Sequence, residues 1–190
     1  THNTAWLLFF TNRHQVYKCR AGDFADTKAS VLGDFVAVKL GMEEGETPVF
    51  LAVTDDYKGH MLFFFQNGKC ARIPLASYAT KQNRKKLLNA YSDKSPLAAM
   101  LQLPESEELA VRTSAGRLLL VHSTQISEKA TRDSAGVAVI TLKKNQTIES
   151  VKPASSMELA NPHRYRVRTL PAAGALLRQE DQAEQLQLSL

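Results

Sequence analysis

One local pattern occurs three times in this chain, at intervals of about fifty residues. In each copy an apolar run is followed by a short polar turn and then by a second run, which in two of the three carries a basic residue on one face. The copies centre on His14, Gly68 and Gly116, which lie 54 and 48 residues apart. A repeat of this length is typical of stacked or radially arranged units, because one such unit cannot bury its apolar face alone. The repeat therefore constrains the fold before any single residue does.

The segments inside each unit are typical of short β-strands. Runs of four to seven Phe, Val, Ile, Tyr and Leu residues are broken by turns rich in Gly, Asn, Asp and Ser. Asn67-Gly68 favours a type I′ hairpin turn, and Ala115-Gly116 takes the same place in the third copy. Arg13-His14 stands there in the first copy, so that turn needs a longer loop or a strained residue.

Further apolar runs complete each unit. They lie at residues 35–40, 50–53, 98–101, 137–142 and 148–151. About four strands in fifty residues match a propeller-type blade. Consecutive aromatic residues such as Phe63, Phe64 and Phe65 face both sides of a strand, and in a blade both sides pack on neighbours. This pattern favours a core role, for these residues and for Trp6, over a stacking platform for single-stranded nucleic acid.

The sequence thus predicts an all-β, propeller-like fold of about three to four blades, each with four antiparallel strands, in a ring that can be incomplete or open. The predicted division places the blades within residues 1–174, at about 5–58, 59–106 and 107–152, with a C-terminal strand at 163–171. On that strand Arg164, Arg166 and Arg168 would share one face. Residues 175–190 are predicted to be a polar, slightly acidic tail, either frayed helix or disordered chain.

The composition is that of an ordinary soluble globular protein, with 44% hydrophobic and 23% charged residues in 190. No apolar run approaches the eighteen or so residues that span a bilayer. The chain opens on a polar segment without a signal peptide or an initiator Met, and we expect a piece of a longer protein. Cys19 and Cys70 are expected to be free buried thiols of a cytosolic protein rather than a disulfide.

Charge points to a polyanionic partner. The net charge is +5, and the tail carries Arg178 against three acidic residues, so the excess lies in the blades. Basic residues recur at similar positions of each unit, whereas Asp55, Asp56 and the carboxylates at 105–108 come just before the next unit. In an arc of blades, residues at the same position of each repeat lie at the same place in each blade. The cations would therefore gather on one edge of the arc, where a DNA duplex could bind and bend. The loop at 143–144 is an exception, since its two lysines align with Glu43 and Glu44.

Catalytic motifs are poorly supported. The five histidines are scattered, with no spacing typical of metal ligands, and His122 fits a structural role better. No nucleophile elbow, phosphate-binding glycine loop or close carboxylate pair appears in the sequence. We therefore expect no enzyme activity, cofactor, metal or small-molecule substrate for this chain, and no membrane association.

Two of the repeats resemble a known family. The segment from Leu8 to Tyr17, which reads Leu-Phe-Phe-Thr-Asn-Arg-His-Gln-Val-Tyr, closely resembles a recurrent element of bacterial type IIA topoisomerases, in which Gly usually replaces His14. The segment from Phe65 to Leu75 is similar to the same element in the next blade. The element belongs to the C-terminal DNA-binding domain of the A subunit of DNA gyrase and topoisomerase IV. The resemblance covers most of residues 5–152.

The resemblance implies a β-pinwheel, in which four-stranded blades exchange strands with their neighbours and a basic rim binds and bends double-stranded DNA. It also implies a cytoplasmic, nucleoid-associated protein whose other partners are the ATPase subunit of the enzyme and the remainder of its own polypeptide. The parent would be an ATP-dependent topoisomerase, whose catalytic tyrosine region would lie upstream. From phase and resemblance together, the candidate DNA-binding residues are Arg13, Lys18, Lys28, Lys69, Arg72, Lys81, Arg84, Lys85, Arg117, Lys129 and Arg132.

Two alternatives stay open. The sequence contains no Gly- and Arg-rich box of the kind that lets gyrase wrap DNA fully, so gyrase and topoisomerase IV are not distinguished. The basic edge could also dock an acidic protein partner, in which case the chain would be a non-enzymatic interaction propeller.

Overall fold

The computed structural model describes residues 2–24, 26, 32–81 and 84–181, and Lys28 lies outside the described residues. The strands are β1 (Trp6–Thr11), β2 (Val16–Arg20), β3 (Pro48–Thr54), β4 (His60–Phe65), β5 (Lys69–Pro74), β6 (Lys86–Leu87), β7 (Leu97–Leu103), β8 (Glu108–Thr113), β9 (Arg117–His122), β10 (Val137–Ala138), β11 (Ile148–Pro153) and β12 (Ala175–Leu176). A short α-helix, α1, spans Val36–Lys39. Short 3-10 helices lie at Ala21–Asp23, Leu75–Tyr78, Ser123–Gln125, Ala154–Ser156 and Pro162–Arg164. Among the described residues, no helix is long and apolar enough to cross a bilayer.

The strands form three four-stranded antiparallel sheets, which confirms the predicted fold class. The first sheet has the order β3-β1-β2-β6, the second β10-β5-β4-β7 and the third β11-β8-β9-β12. In each sheet the fourth strand comes from the segment that follows the unit in sequence. β6 pairs with β2, β10 with β5 and β12 with β9. This exchange between neighbours is the β-pinwheel arrangement.

The core lies between the sheets. Leu8 and Phe10 of the first sheet pack with Phe63 and Phe65 of the second. Alternate residues of β4 face the other way and join the third sheet in a second core, where Phe64 meets Val111 among other residues. Phe63, Phe64 and Phe65 are at most 1% exposed, so their predicted core role is confirmed.

The outer faces of the first and the third sheet are covered by connecting segments and not by another sheet. The outer face of the first sheet, with Phe9, Tyr17 and Cys19, packs against Phe24 and Leu40. The outer face of the third sheet, with Leu118 and Leu120, packs against the C-terminal segment around Tyr165. The described residues therefore form an open stack and not a closed ring. Both cysteines are buried and free, as predicted.

All three hairpins use one turn. The backbone N–H groups of His14, Gly68 and Gly116 donate to the carbonyl oxygens three residues earlier, at 3.2, 3.0 and 3.0 Å. These residues have φ of 58°, 87° and 69°. A type I′ turn would need positive φ at two positions, but Asn67 does not share it. The geometry fits a type I turn closed by one left-handed residue, so His14 is the strained residue that the sequence required in the first copy.

Residues 35–40 differ from the predicted strand. Val36-Ala37-Val38 repeats the sequence Val137-Ala138-Val139, yet the first triplet lies in α1 and the second contains β10. β10 pairs with β5 of the preceding unit, whereas among the described residues no strand precedes β1. Without a partner strand the backbone forms its hydrogen bonds internally, as from the Leu40 N–H to the Val36 carbonyl at 3.0 Å.

The C-terminal segment also differs from its prediction. No strand covers residues 163–171; instead Leu120 forms an isolated bridge with Arg166, whose guanidinium lies 2.6 Å from the Glu108 carboxylate. β12 begins where a polar tail was expected. Asp181 is fully buried and accepts hydrogen bonds from the Tyr165 hydroxyl and, at 2.8 Å, from the Ala160 N–H. Residues 182–190 lie outside the described residues.

Candidate nucleic-acid interface

Two of the candidate cations hold the contact between neighbouring units. Lys18 on β2 donates from Nζ to the carbonyl oxygen of Tyr78 at 2.8 Å. Arg72 on β5 donates in the same way to the carbonyl of Ile126 at 3.3 Å. Lys18 and Arg72 occupy equal positions in their repeats, and so do Tyr78 and Ile126. These cations therefore tie the first sheet to the second unit and the second sheet to the third unit, a role that their position in the repeat alone does not reveal.

Lys18 is buried, with 3% of the residue exposed. Besides Tyr78 it donates to the Thr80 hydroxyl at 3.1 Å, and no ion pair among the described residues includes it. Burial, together with the positive charge of Arg132, lowers the pKa of the Lys18 ammonium. A charged group in such a place is costly unless an anion or several hydrogen bonds compensate it.

Three further arginines of the predicted set are bound to protein acceptors. Arg13 donates to the Glu43 carboxylate at 2.7 Å. Arg117 donates to the carbonyl of Gly174 at 2.9 Å, next to β12. Arg132 donates to the carbonyl of Ser77 at 3.2 Å and thereby joins the third unit to the second. Lys129 is half-buried, and its backbone N–H donates to Arg72.

The remaining predicted cations are exposed. They are Lys69, Lys81, Arg84 and Lys85. No side-chain hydrogen bond or ion pair with another described residue engages them. Lys81 and Lys85 flank the segment that leads into β6, and Lys69 lies beside the hairpin turn of the second unit. Within the predicted set, these four are the cations most available to an external anion.

A cleft of about 520 Å³ lies where the first sheet meets Thr80, Lys81 and Lys85 of the second unit. Its wall includes Trp6, Lys18, Arg20, Lys81 and Lys85. The Arg20 guanidinium carbon lies 3.7 Å from the centroid of the Trp6 ring, and Lys18 Nζ lies 5.3 Å from it. We call this site the first-seam cleft.

Sequence reasoning missed Arg20 and assigned Trp6 to the core. The signal for Arg20 was present, because residues two apart on a strand share a face and Arg20 follows Lys18 at that spacing. Trp6 is only half-buried, and a single aromatic residue near the start of a strand gives no sign of which side stays open. Among the described residues, no cluster of His, Cys, Asp or Glu has the geometry of a metal site.

Carboxylates neutralise one side of the first sheet. Glu43 accepts from Arg13 and, at 3.0 Å, from Lys86. The hydrogen bond from Lys86 is the main reason why the pKa of Glu43 lies below its usual range. The positive charge of Arg13 is thus offset, whereas the first-seam cleft contains four basic residues and one carboxylate, Asp23.

Sequence comparison finds relatives over part of the chain. A family model described as the DNA gyrase C-terminal domain, a β-propeller, matches residues 5–30 and 107–155. The A subunit of DNA gyrase from Streptomyces coelicolor is 31% identical over 80 residues, which are 41% of this chain and 9% of that protein. The match therefore spans a small part of the curated relative.

Solved structures share the fold. The C-terminal domain of a DNA topoisomerase IV matches with a TM-score of 0.75 at 20% identity, over 95% of this chain and 62% of that one. A DNA gyrase A C-terminal domain matches with a TM-score of 0.61 at 13% identity, over 95% and 64%. The Escherichia coli ParC C-terminal domain gives 0.70 at 11% identity, over 94% and 79%. The family model and the curated relative each match part of this chain, and the solved structures share its β-pinwheel fold, which confirms the resemblance to the C-terminal domains of the A subunits of DNA gyrase and topoisomerase IV.

Proposed function

We propose that this chain is a DNA-binding and DNA-bending accessory domain from the A subunit of a bacterial type IIA topoisomerase. The observation that carries the proposal is the group of exposed cations at the first two units, Lys69, Lys81, Arg84 and Lys85, which have no carboxylate partner among the described residues. In a longer polypeptide the catalytic part would lie elsewhere, and this domain would present the duplex to it in the cytoplasm, at the nucleoid. The family relationship supports this placement.

The proposed mechanism is electrostatic. Lys and Arg side chains neutralise phosphates and release condensed counterions, without hydrogen bonds to base edges. Bending a duplex by about 40–90° costs on the order of 1–6 kcal/mol, which added phosphate contacts must offset. Arg72 and Arg132, which tie neighbouring units together, serve this surface indirectly, because they fix how the sheets are placed.

Duplex binding under varied salt tests the proposal. With about six phosphate contacts, the slope of log affinity against log salt should be near −5. Two duplexes of equal length and different sequence should bind alike. A slope shallower than about −2, or strong preference for one sequence, would contradict the mechanism.

A charge-matched pair of variants tests the assignment of the surface. Replacing Lys69, Lys81, Arg84 and Lys85 by Ala should lower affinity at least about tenfold and make the slope shallower by about 3 to 4. The control replaces four exposed lysines of other regions, Lys94, Lys143, Lys144 and Lys152, and removes the same charge. Equal losses in both variants would show that net charge, and not this surface, governs binding.

A second candidate function is docking of an acidic protein partner. Phe35 and Val38 are 73% and 74% exposed, and the neighbouring Lys39 and Leu40 line a small cleft together with Lys85. Apolar side chains beside cations suit a protein partner better than a duplex. Competition separates the two functions: under the DNA proposal, polyglutamate of equal charge should displace a duplex at least about tenfold less well than a second duplex does.

A further inference from the structure

The first-seam cleft differs from the exposed cations around it because its walls are built from buried and stacked groups. Lys18 is 3% exposed and forms the floor. The Arg20 guanidinium is fixed, since it stacks on Trp6 and donates to the carbonyl of Thr4. Tyr57 forms a second aromatic wall, with its ring centroid 6.1 Å from that of Trp6. Two of the four cations of the cleft, Lys18 and Arg20, are therefore held in place, and these two lose little conformational entropy when an anion binds.

The charge balance of the cleft calls for an anion. Lys18, Arg20, Lys81 and Lys85 face a single carboxylate, that of Asp23, which accepts the backbone N–H of Arg20 at 2.9 Å. An ammonium has three N–H donors, and the two acceptors of Lys18 are neutral oxygens. A phosphate oxygen would supply the missing negative charge and a third acceptor.

The size and the aromatic walls limit what this anion can be. A volume of about 520 Å³ exceeds what one tetrahedral anion needs. The rings of Trp6 and Tyr57 offer apolar surface beside the cations, which suits a sugar attached to the phosphate. Arg20 covers one face of the Trp6 ring, so a base is less well accommodated there than a deoxyribose.

We propose that the first-seam cleft binds one phosphodiester group of the bound duplex, with the attached deoxyribose against Trp6 and Tyr57. This inference rests on the proposed function, and it specifies where the duplex would cross from the first sheet to the second. Because the cleft is lined by β2 on one side and by Lys81 and Lys85 of the second unit on the other, a phosphate held there fixes the duplex to both units at once.

Trp6 is the only tryptophan of the chain, so its fluorescence reports on this cleft alone. The full chain is titrated at low salt with a labelled duplex of mixed sequence, while the anisotropy of the duplex and the emission of Trp6 are followed together. We expect both signals to change with the same midpoint. Addition of salt should reverse both.

Two variants and a control complete the experiment. Lys85→Gln changes an exposed side chain without a hydrogen bond to other described residues. It should lower affinity about five- to tenfold and make the slope of log affinity against log salt shallower by about one. Arg20→Gln should act in the same direction. Lys144→Gln removes an equal charge far along the chain and should leave affinity within about twofold.

The outcomes separate the two proposals. Duplex binding by anisotropy with an unchanged Trp6 signal, and with Lys85→Gln equal to Lys144→Gln, would overturn the cleft and leave the DNA-binding function standing. A Trp6 response to inorganic phosphate that matches the duplex response in midpoint would also overturn it, in favour of a free-anion site. Absence of duplex binding by the wild-type chain at low salt would overturn the proposed function itself.

Discussion

The Lys18 ammonium lies 2.8 Å from the carbonyl oxygen of Tyr78, sixty residues further along the chain, and it closes the contact between the first and second units. Its substitution tests how much this contact contributes to stability. Lys18→Ala removes the donors for Tyr78 and Thr80 and leaves a buried acceptor unpaired, which should lower the free energy of unfolding by about 2 kcal/mol. Urea denaturation followed by circular dichroism measures the change.

Lys58→Ala is the control for this experiment. Its side chain is 85% exposed, and its ion pair with Asp56 lies at the surface, so we expect a change below about 0.5 kcal/mol. Equal stability of the two variants would show that the hydrogen bond from Lys18 to Tyr78 does not contribute to the free energy of unfolding.

All five tyrosines should make the protein sensitive to alkali. Burial raises the pKa of Tyr17, Tyr57, Tyr78, Tyr91 and Tyr165, and for Tyr57 to about 12. In the unfolded chain they ionise near 10.0, so the stability that their neutral forms contribute is complete below that pH. It is lost progressively as the pH rises from about 10 towards and beyond 12.

Phenolate absorbance and circular dichroism, recorded in one alkaline titration, check this expectation. The phenolate signal should lag behind a free tyrosine and then rise together with the loss of sheet structure. A full phenolate signal with a midpoint near 10 in a protein that is still folded would contradict it.

Val38 and Val139 form a matched pair, because they occupy the same position in two identical Val-Ala-Val triplets. Val38 is 74% exposed in α1, whereas Val139 is fully buried beside β10. Val139→Ala should cost about 2 kcal/mol through lost burial and the cavity left behind. Val38→Ala should cost less than about 0.5 kcal/mol.

Thermal unfolding of both valine variants measures the difference. Equal losses of stability in the two variants would show that residues 36–38 are as well packed as residues 137–139, which would contradict the structure.

Substitution of the hairpin glycines by Ala distinguishes the cost of backbone strain from the cost of a steric clash. At Gly116, with φ of 69°, a Cβ would meet nothing within 4 Å, so Gly116→Ala should cost only the left-handed strain of about 1 kcal/mol. At Gly68 the Cβ would lie 2.4 Å from the carbonyl oxygen of Ile140, which belongs to the next unit. Gly68→Ala should therefore cost at least about 3 kcal/mol.

Urea denaturation measures these costs, and the midpoints of the Gly116 and Gly68 variants can be compared directly where their m-values are equal. His14→Gly adds a third point, since it relieves strain at φ of 58° but loses the contact with Tyr91, whose ring centroid lies 4.6 Å away. We expect these terms to cancel within about 1 kcal/mol. A large loss at Gly116 would mean that the turn is constrained by more than its backbone angle.

The sequence predicts well what depends on near neighbours. Gly68 and Gly116 mark the hairpin turns, and the consecutive aromatic residues of β4 predict a strand buried on both faces. The repeat of about fifty residues and the resemblance to the topoisomerase family together predict the three sheets. The turns and the individual strands are decided within about ten residues, where turn chemistry and side-chain alternation act.

The sequence predicts poorly what depends on the next unit. The phase of Lys18 and Arg72 suggests a rim, yet their acceptors are carbonyl groups more than fifty residues away, and a carbonyl has no sequence signature. The triplet at residues 36–38 shows the same limit, because its conformation depends on whether a strand edge is available. Arg20 gains its place only through the ring of Trp6.

The exchange of short strands between units also governs how the protein would respond to a cut or a pull. A cleavage between Thr80 and Lys85 would separate β6 from the rest of its own unit while leaving it held by β2, so both halves would stay attached through a sheet that neither could complete alone. Because each sheet takes its fourth strand from the segment that follows, unfolding of the second or third unit would also remove a strand from the sheet before it.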